Sequence, residues 1–151
     1  SYHGIPERHV DKVYLDGNPC ADHSCESEIN DENANCYKAT CYATTRLLAK
    51  SLNIKDDFYS TCFQSRLGRD PWLMPYTDHT IERLAKEGKK KVLVFSPAFV
   101  SDCLETTIEI GEEYDELFKE HGGEKLQLVP SLNDYDDWAE NLTKIIKDYT
   151  K

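Results

Sequence analysis

Positive charge and long apolar runs are what this 151-residue chain is short of. Lys and Arg number 18 against 28 Asp and Glu, a formal net charge of −10 at pH 7. Nucleic acid and anionic membrane surfaces both call for clusters of Lys and Arg, so neither is expected as a principal partner. No apolar run approaches the ~20 residues that carry a helix across a bilayer. No secretory leader is read at the start, and a cytoplasmic protein is expected, with peripheral membrane contact left open. Apolar residues nevertheless make up 39% of the chain and aromatics 11%, enough for a single domain of this length to bury a core.

Cysteine, by contrast, is plentiful. Of six, Cys20, Cys25, Cys36 and Cys41 crowd into one stretch, while Cys62 and Cys103 stand alone. A small disulfide scaffold spreads its cysteines along the chain and lacks long helical patterns. Clustered thiols in a chain of this kind point instead to a metal.

Apolar spacing predicts a helix over 37–52, stopped at Asn53, and a strand over 58–63. Gly68, Pro71 and Pro75 punctuate a loop that ends at a helix N-cap, Thr77 or Asp78, and that helix stops at Gly88. The run KVLVFS, from Lys91 to Ser96, reads as a strand buried on both faces. A helix is expected over 102–120, closed by Gly122-Gly123, then a strand over 126–129 and a helix over 136–149. Strand and helix alternate, which predicts an α/β fold: three layers, α/β/α, around a parallel sheet of about four strands. Ligands of such sheets bind beyond the carboxyl ends of the strands. That rule selects His3, the loop 64–76 and the loop 96–102, expected along one edge. The stretch from Pro19 to Asn35 is acidic and aperiodic, and something other than an apolar core must order it.

Glu105, Glu109 and Glu113 stand four apart on the predicted helix. At about 100° per residue they share a face, with Leu104, Ile108, Ile110, Tyr114, Leu117 and Phe118 opposite. A solvated acidic face is the plain alternative. Yet like charges four apart repel, and few lysines are spaced to relieve them. A column of carboxylates suits a hard or borderline cation, or the acceptance of protons. His3 suits proton uptake near neutral pH or ligation of Fe(II), the alternative being a structural histidine. Trp72 packs, or stacks on a flat ligand. The cysteines read C-x4-C-x10-C-x4-C, which fits zinc with or without His23, or a 2Fe–2S cluster held by Cys20, Cys25, Cys36 and Cys41. Four unligated thiols are the remaining option. A bound metal would staple the aperiodic stretch.

Four segments carry a resemblance. SYHGIPERHV resembles the S-[FY]-H-G-[IL]-P segment of ferrochelatases, which insert Fe(II) into a porphyrin in haem synthesis. FQSRLGRDPWLMPYTD, SPAFVSDCLETTIEI and VPSLNDYDDW are similar to three further segments of that family, in order, across nearly the whole chain. The resemblance implies a chelatase-like half domain with porphyrin and ferrous iron as partners. It implies His3 as catalytic histidine and Glu105 as the essential glutamate facing it, holding the imidazole and passing protons on. Glu109 and Glu113 would continue an acidic ladder, and these three with His3 would be the iron-contacting groups. Gln64, Ser65 and Trp72 would border the porphyrin. Cys103 stands where many relatives carry histidine. The cysteine stretch is similar to the internal segment by which some bacterial members hold a 2Fe–2S cluster, and tips the expectation from zinc to the cluster. The chain matches the C-terminal half of such an enzyme. His3 would then close a strand whose upstream residues have been cut away, and the fragment alone would be inactive or nearly so. A cobalt or nickel chelatase, or a stand-alone iron–sulfur or zinc module, are the competing readings.

Overall fold

Tyr2–His3 form the first strand, β1, and Phe63–Gln64 the second, β2. They pair in parallel, with Tyr2 opposite Phe63 and His3 opposite Gln64. The structure, a computed structural model, describes residues 1–150. Its contacts group into two units, Ser1–Thr80 and the residues from Ile81 onward.

In the first unit β1 leads into a short helix, α1 (Glu7–Asp11), and the crossover to β2 carries α2 (Tyr37–Ser51). Tyr2, Val10, Tyr14, Ala39, Phe63 and Leu73 build its core together with Cys20, Cys25, Cys36 and Cys41. Helix α2 stops where Asn53 takes a left-handed φ of 55°, a conformation asparagine tolerates better than most residues. Between α1 and α2 the only regular piece is the single turn Cys20–Asp22. The strand expected over 58–63 shrinks to Phe63–Gln64: Asp56–Phe58 form a 3-10 turn instead, and Phe58 is exposed. β1 offers two residues to pair with, and the ladder extends no further.

Helix α3 (Thr77–Lys86) carries the chain into the second unit and is closed by Gly88 at φ 87°. There β3 (Lys91–Val94) pairs in parallel with β4 (Lys125–Leu128). Val94, Leu126, Ile110, Phe118, Ile81 and Ala85 form the core. β3 was expected to be buried on both faces. Leu93 is 67% exposed while Val94 is buried, so this strand buries one face and shows the period of two that a one-sided strand requires. The expected long helix is split into α4 (Leu104–Thr107), a π-helical turn over Glu109–Glu113, and α5 (Tyr114–Glu120). Helix α6 (Asp136–Tyr149) ends the described chain.

The fold is therefore α/β with parallel pairing, and the sheet is smaller than expected: the four strands form two two-stranded sheets. Apolar runs locate strands, but they do not say which strand finds which partner. Among the described residues, no helix is long and apolar enough to cross a membrane.

Candidate functional site

Three backbone bonds hold the segment around His3. Tyr2 N–H donates to the Cys62 carbonyl and Gly4 N–H to that of Gln64, while Leu73 N–H donates to Ile5. A Cβ on Gly4 would stand 2.9 Å from the Gln64 carbonyl oxygen and 3.3 Å from the Trp72 ring. Only glycine lets these chains approach so closely. The Tyr37 hydroxyl donates to the His3 carbonyl at 2.8 Å, so α2 fixes the histidine's peptide.

The imidazole is half-buried, and its Nδ1 lies 2.6 Å from the Gly4 carbonyl oxygen. A carbonyl can only accept, so Nδ1 carries the proton and the acceptor lone pair falls on Nε2. Trp72 lies beside it, ring centroids 6.5 Å apart at 52°. The indole N–H donates to the Leu67 carbonyl at 2.8 Å, and the Leu67 side chain is 80% exposed. The result is an imidazole bordered by an anchored indole.

Gln64 is buried, and its Oε1 accepts from the Ser1 hydroxyl at 2.6 Å; that hydroxyl also meets Thr77 Oγ1 at 3.0 Å. It sits inside the unit at the end of the ladder. Ser65 follows with φ 64°, a strained conformation for a residue with a side chain, and such strain concentrates at ligand-contacting turns. Arg66 forks onto Asp78 through two hydrogen bonds, 2.8 and 2.7 Å, with its guanidinium 4.3 Å from the Tyr76 ring centroid. Burial opposes ionisation of Asp78, but the Arg66 hydrogen bonds outweigh it and hold the carboxyl below its usual range. Nothing in the sequence reading singled out this clamp, although an Arg beside the Ser65 turn was there to be read.

In the second unit the acidic residues do not lie on one regular helix. Glu113 N–H reaches Ile108, five residues back, and Tyr114 N–H reaches Glu109 in the same way. A π-helical turn takes in one extra residue. In a regular helix Glu113 would stand about 80° around the axis from Glu105, and one extra residue takes back about 100°, leaving the two nearly aligned. Glu105 and Glu109 are half-buried and Glu113 is exposed. Glu109 Oε1 accepts from the Tyr114 hydroxyl at 2.7 Å. Leu104 and Ile108, expected against the core, are 74% and 37% exposed, while Thr106 and Ile110 are buried. The sequence signal was the β-branched run ending in Gly111, a poor continuation for an α-helix. Thr106 and Thr107 both bond back to the Cys103 carbonyl, a habit that distorts helices.

A reciprocal lock precedes that helix. Asp102 accepts from Ser131 N–H and from the Asn133 side chain, and Asp102 N–H donates back to Asn133 Oδ1. Asn133 makes this possible from a left-handed φ of 46°. The Asn133 hydrogen bond first, then those from Ser131, pull the Asp102 carboxyl below its ordinary range. The LND segment thus ties down the entry to the Glu105 helix.

Of the four cysteines expected together, the structure gathers three. Cys20, Cys25 and Cys36 place their sulfurs 3.6, 3.6 and 3.7 Å apart, all buried. Cys41 stands outside the group. The reason is helical geometry: Cys36 caps α2, and five residues on, the chain has risen about 7.5 Å and turned about 140° away. Burial there pushes the Cys41 thiol up to about 12. The Tyr14 hydroxyl lies 2.6 Å from Cys25 Sγ, and the His23 ring stacks on Tyr14 at 3.6 Å, 8° from parallel. His23 does not join the thiol group. A hydrogen bond from Cys20 brings the Cys36 thiol down to about 5, while the same contact drives Cys20 upward. Three sulfurs so close and so buried can all be thiolates only around a cation. The group therefore fits a metal, which would order the stretch from Pro19 to Asn35. A 2Fe–2S cluster asks for a fourth thiolate, which this group does not contain.

Compared with known proteins, the chain matches the Ferrochelatase family over residues 1–150. It is 46% identical over 147 residues to a protein named ferrochelatase from Pseudomonas fluorescens strain Pf0-1, covering 96% of this chain and 43% of that one. A ferrochelatase of Bdellovibrio bacteriovorus is 46% identical over 147 residues, covering 97% and 43%, and one of Coxiella burnetii strain Dugway 5J108-111 matches at 46%, covering 97% and 42%. The chain thus spans 42–43% of the length of these relatives. With the family matched from Ser1 to Thr150 and the motif residues sitting on the turns described above, the chain belongs to the ferrochelatase family.

Proposed function

We propose that these residues carry the metal-inserting chemistry of a chelatase that places Fe(II) into a porphyrin, protoporphyrin IX or coproporphyrin III, in haem biosynthesis. The chain covers 43% of a relative's length, so the activity is assigned to a protein of the relatives' full length. The remainder of such a protein would complete the porphyrin pocket, and this chain alone is expected to be inactive or nearly so.

The observation that carries the reading is the tautomer of His3. With Nδ1–H committed to the Gly4 carbonyl at 2.6 Å, Nε2 is the basic atom, and it sits beside an indole suited to a flat apolar macrocycle. Metallation breaks two pyrrole N–H bonds, releases two protons and forms iron–nitrogen bonds, with no change of oxidation state. His3 Nε2 accepts one of the two pyrrole protons, as a general base must do at the reacting nitrogen. Glu105 serves as the second proton acceptor, and Glu109 and Glu113 pass protons outward or lead Fe(II) inward, the role a line of carboxylates suits. Trp72 and Leu67 offer the porphyrin an apolar edge. Ser65, on its strained turn, offers a hydroxyl to the porphyrin's polar rim, and Gln64 holds that turn in place. Bending the macrocycle against this rigid edge exposes its nitrogen lone pairs, using binding energy to lower the barrier.

Porphyrin metallation by the full-length protein tests the reading. His3→Ala is expected to lower turnover by at least 10²-fold while porphyrin binding stays within a few-fold. Glu105→Gln is expected to fall in the same direction. Undiminished turnover in His3→Ala would overturn the assignment.

A further inference from the structure

We propose that Cys20, Cys25 and Cys36 bind a single tetrahedral metal ion of the zinc class, with the Tyr14 hydroxyl at the fourth vertex, rather than a two-iron cluster. The proposal stands apart from the metallation reading: the three thiols belong to the core of the first unit and take no part in the chemistry assigned to His3.

Sulfur spacing is the first argument. A tetrahedral ion with metal–sulfur bonds of about 2.3 Å has sulfur–sulfur edges of about 3.8 Å. The observed edges, 3.6, 3.6 and 3.7 Å, form a nearly equilateral triangle of that size. It is one face of such a tetrahedron. In a 2Fe–2S cluster each iron takes two thiolates, so a third must sit on the other iron, across the bridging sulfides. It could not then stand 3.6–3.7 Å from both of the others, as it does here.

The second argument is the fourth position. Cys41 is turned away by the helix, as described, and His23 lies outside the group. The atom that does approach is the Tyr14 hydroxyl, 2.6 Å from Cys25 Sγ, 4.0 Å from Cys20 Sγ, and interacting with Cys36. Metal–oxygen and metal–sulfur bonds of about 2.0 and 2.3 Å put an oxygen vertex about 3.5 Å from each sulfur, and the two measured distances straddle that value. Tyr14 is itself fixed, since His23 stacks on its ring face and Asp16 Oδ2 lies 3.6 Å from His23 Nε2.

A third observation supplies an entry path. Cys20 lines a cleft of about 510 Å³ bordered by Asp11, Pro19, Leu73, Tyr76 and His79. The Asp11 carboxylate on that wall accepts from Cys20 N–H at 2.8 Å, which pins the ligand's backbone. Outer partners of this kind orient first ligands.

The test is metal and acid-labile sulfide analysis of the anaerobically purified full chain, followed by removal of the metal and titration with Co(II). One zinc per chain without sulfide is expected. The cobalt form should show the ligand-field bands of a tetrahedral ion and charge-transfer absorption from three thiolates. Cys41→Ser should leave both unchanged, and serine at position 20, 25 or 36 should remove about a third of the charge-transfer intensity or abolish binding. Tyr14→Phe should keep the charge-transfer intensity, move the ligand-field bands and weaken cobalt binding about tenfold or more. Two irons and two sulfides per chain would overturn the proposal, as would a chain that takes up neither zinc nor cobalt. Loss of binding in Cys41→Ser would overturn the ligand set, and unmoved bands in Tyr14→Phe would overturn the fourth vertex. Stoichiometry and spectrum of the unaltered chain decide the main point without any variant.

Discussion

His3 is useful because of what holds it. Its ring proton is taken by Gly4, its own carbonyl is taken by Tyr37, and Gly4 closes on Gln64 with no room for a side chain. The histidine and Trp72 were legible in the sequence, since their chemistry shows in the residue type. Tyr37 and Gly4 act through the backbone, and a carbonyl held by a distant hydroxyl leaves no local pattern to read. Gly4→Ala is expected to cost about 1–3 kcal/mol, because the new methyl must displace backbone rather than a flexible side chain. Urea denaturation measures this, and an unchanged midpoint would contradict the close approach. Tyr37→Phe removes one hydrogen bond and should cost about 1 kcal/mol. It should also lower turnover more than it weakens porphyrin binding, since what it loosens is the peptide that carries the imidazole.

At the scale of elements, the helices found over 37–51, 77–86 and 136–149 followed to within a residue or two from spacing and stop signals, because caps and glycines act locally. The π turn did not, because it depends on how Thr106 and Ile110 are buried while Leu104 and Ile108 are left out. Nor did the Asp102–Asn133 lock, whose partners lie 31 residues apart in the chain. That lock has a consequence in acid. The Asp102 carboxyl, and likewise Asp115 beside Lys119, titrates below the ordinary aspartate range when folded. A depressed carboxyl contributes stability that is fully present above its unfolded pKa of about 3.9 and is lost as pH falls through its folded value. Stability should therefore decline from about pH 5 downward. Asp102→Ala should flatten part of that acid limb while lowering stability at pH 7, and thermal melts across pH 2–7 would reveal an unaltered limb if the lock contributes nothing.

Over the whole molecule, the α/β class and parallel pairing were legible from alternation, but the size of the sheet was not. Pairing of β1 with β2 and of β3 with β4 is a choice among partners that periodicity cannot rank. The cysteine stretch was legible as acidic and aperiodic, while the grouping of its thiols was not, because Cys36 and Cys41 look equivalent until the helix between them turns one away. Under the proposed metallation, the carboxylates that give this chain its formal charge of −10 would draw in Fe(II): added salt screens a negative field, so the full-length protein's apparent KM for Fe(II) should rise with ionic strength while kcat holds. A KM independent of salt would detach the acidic residues from iron delivery. The claim on which the rest depends is that the imidazole of His3 takes a pyrrole proton. The most direct measurement is chemical rescue of His3→Ala in the full-length protein, following porphyrin metallation with and without added imidazole. Lost turnover that free imidazole restores in a concentration-dependent way is the predicted result. Turnover at the unaltered rate without imidazole, or a loss that imidazole leaves untouched while porphyrin still binds, would contradict it.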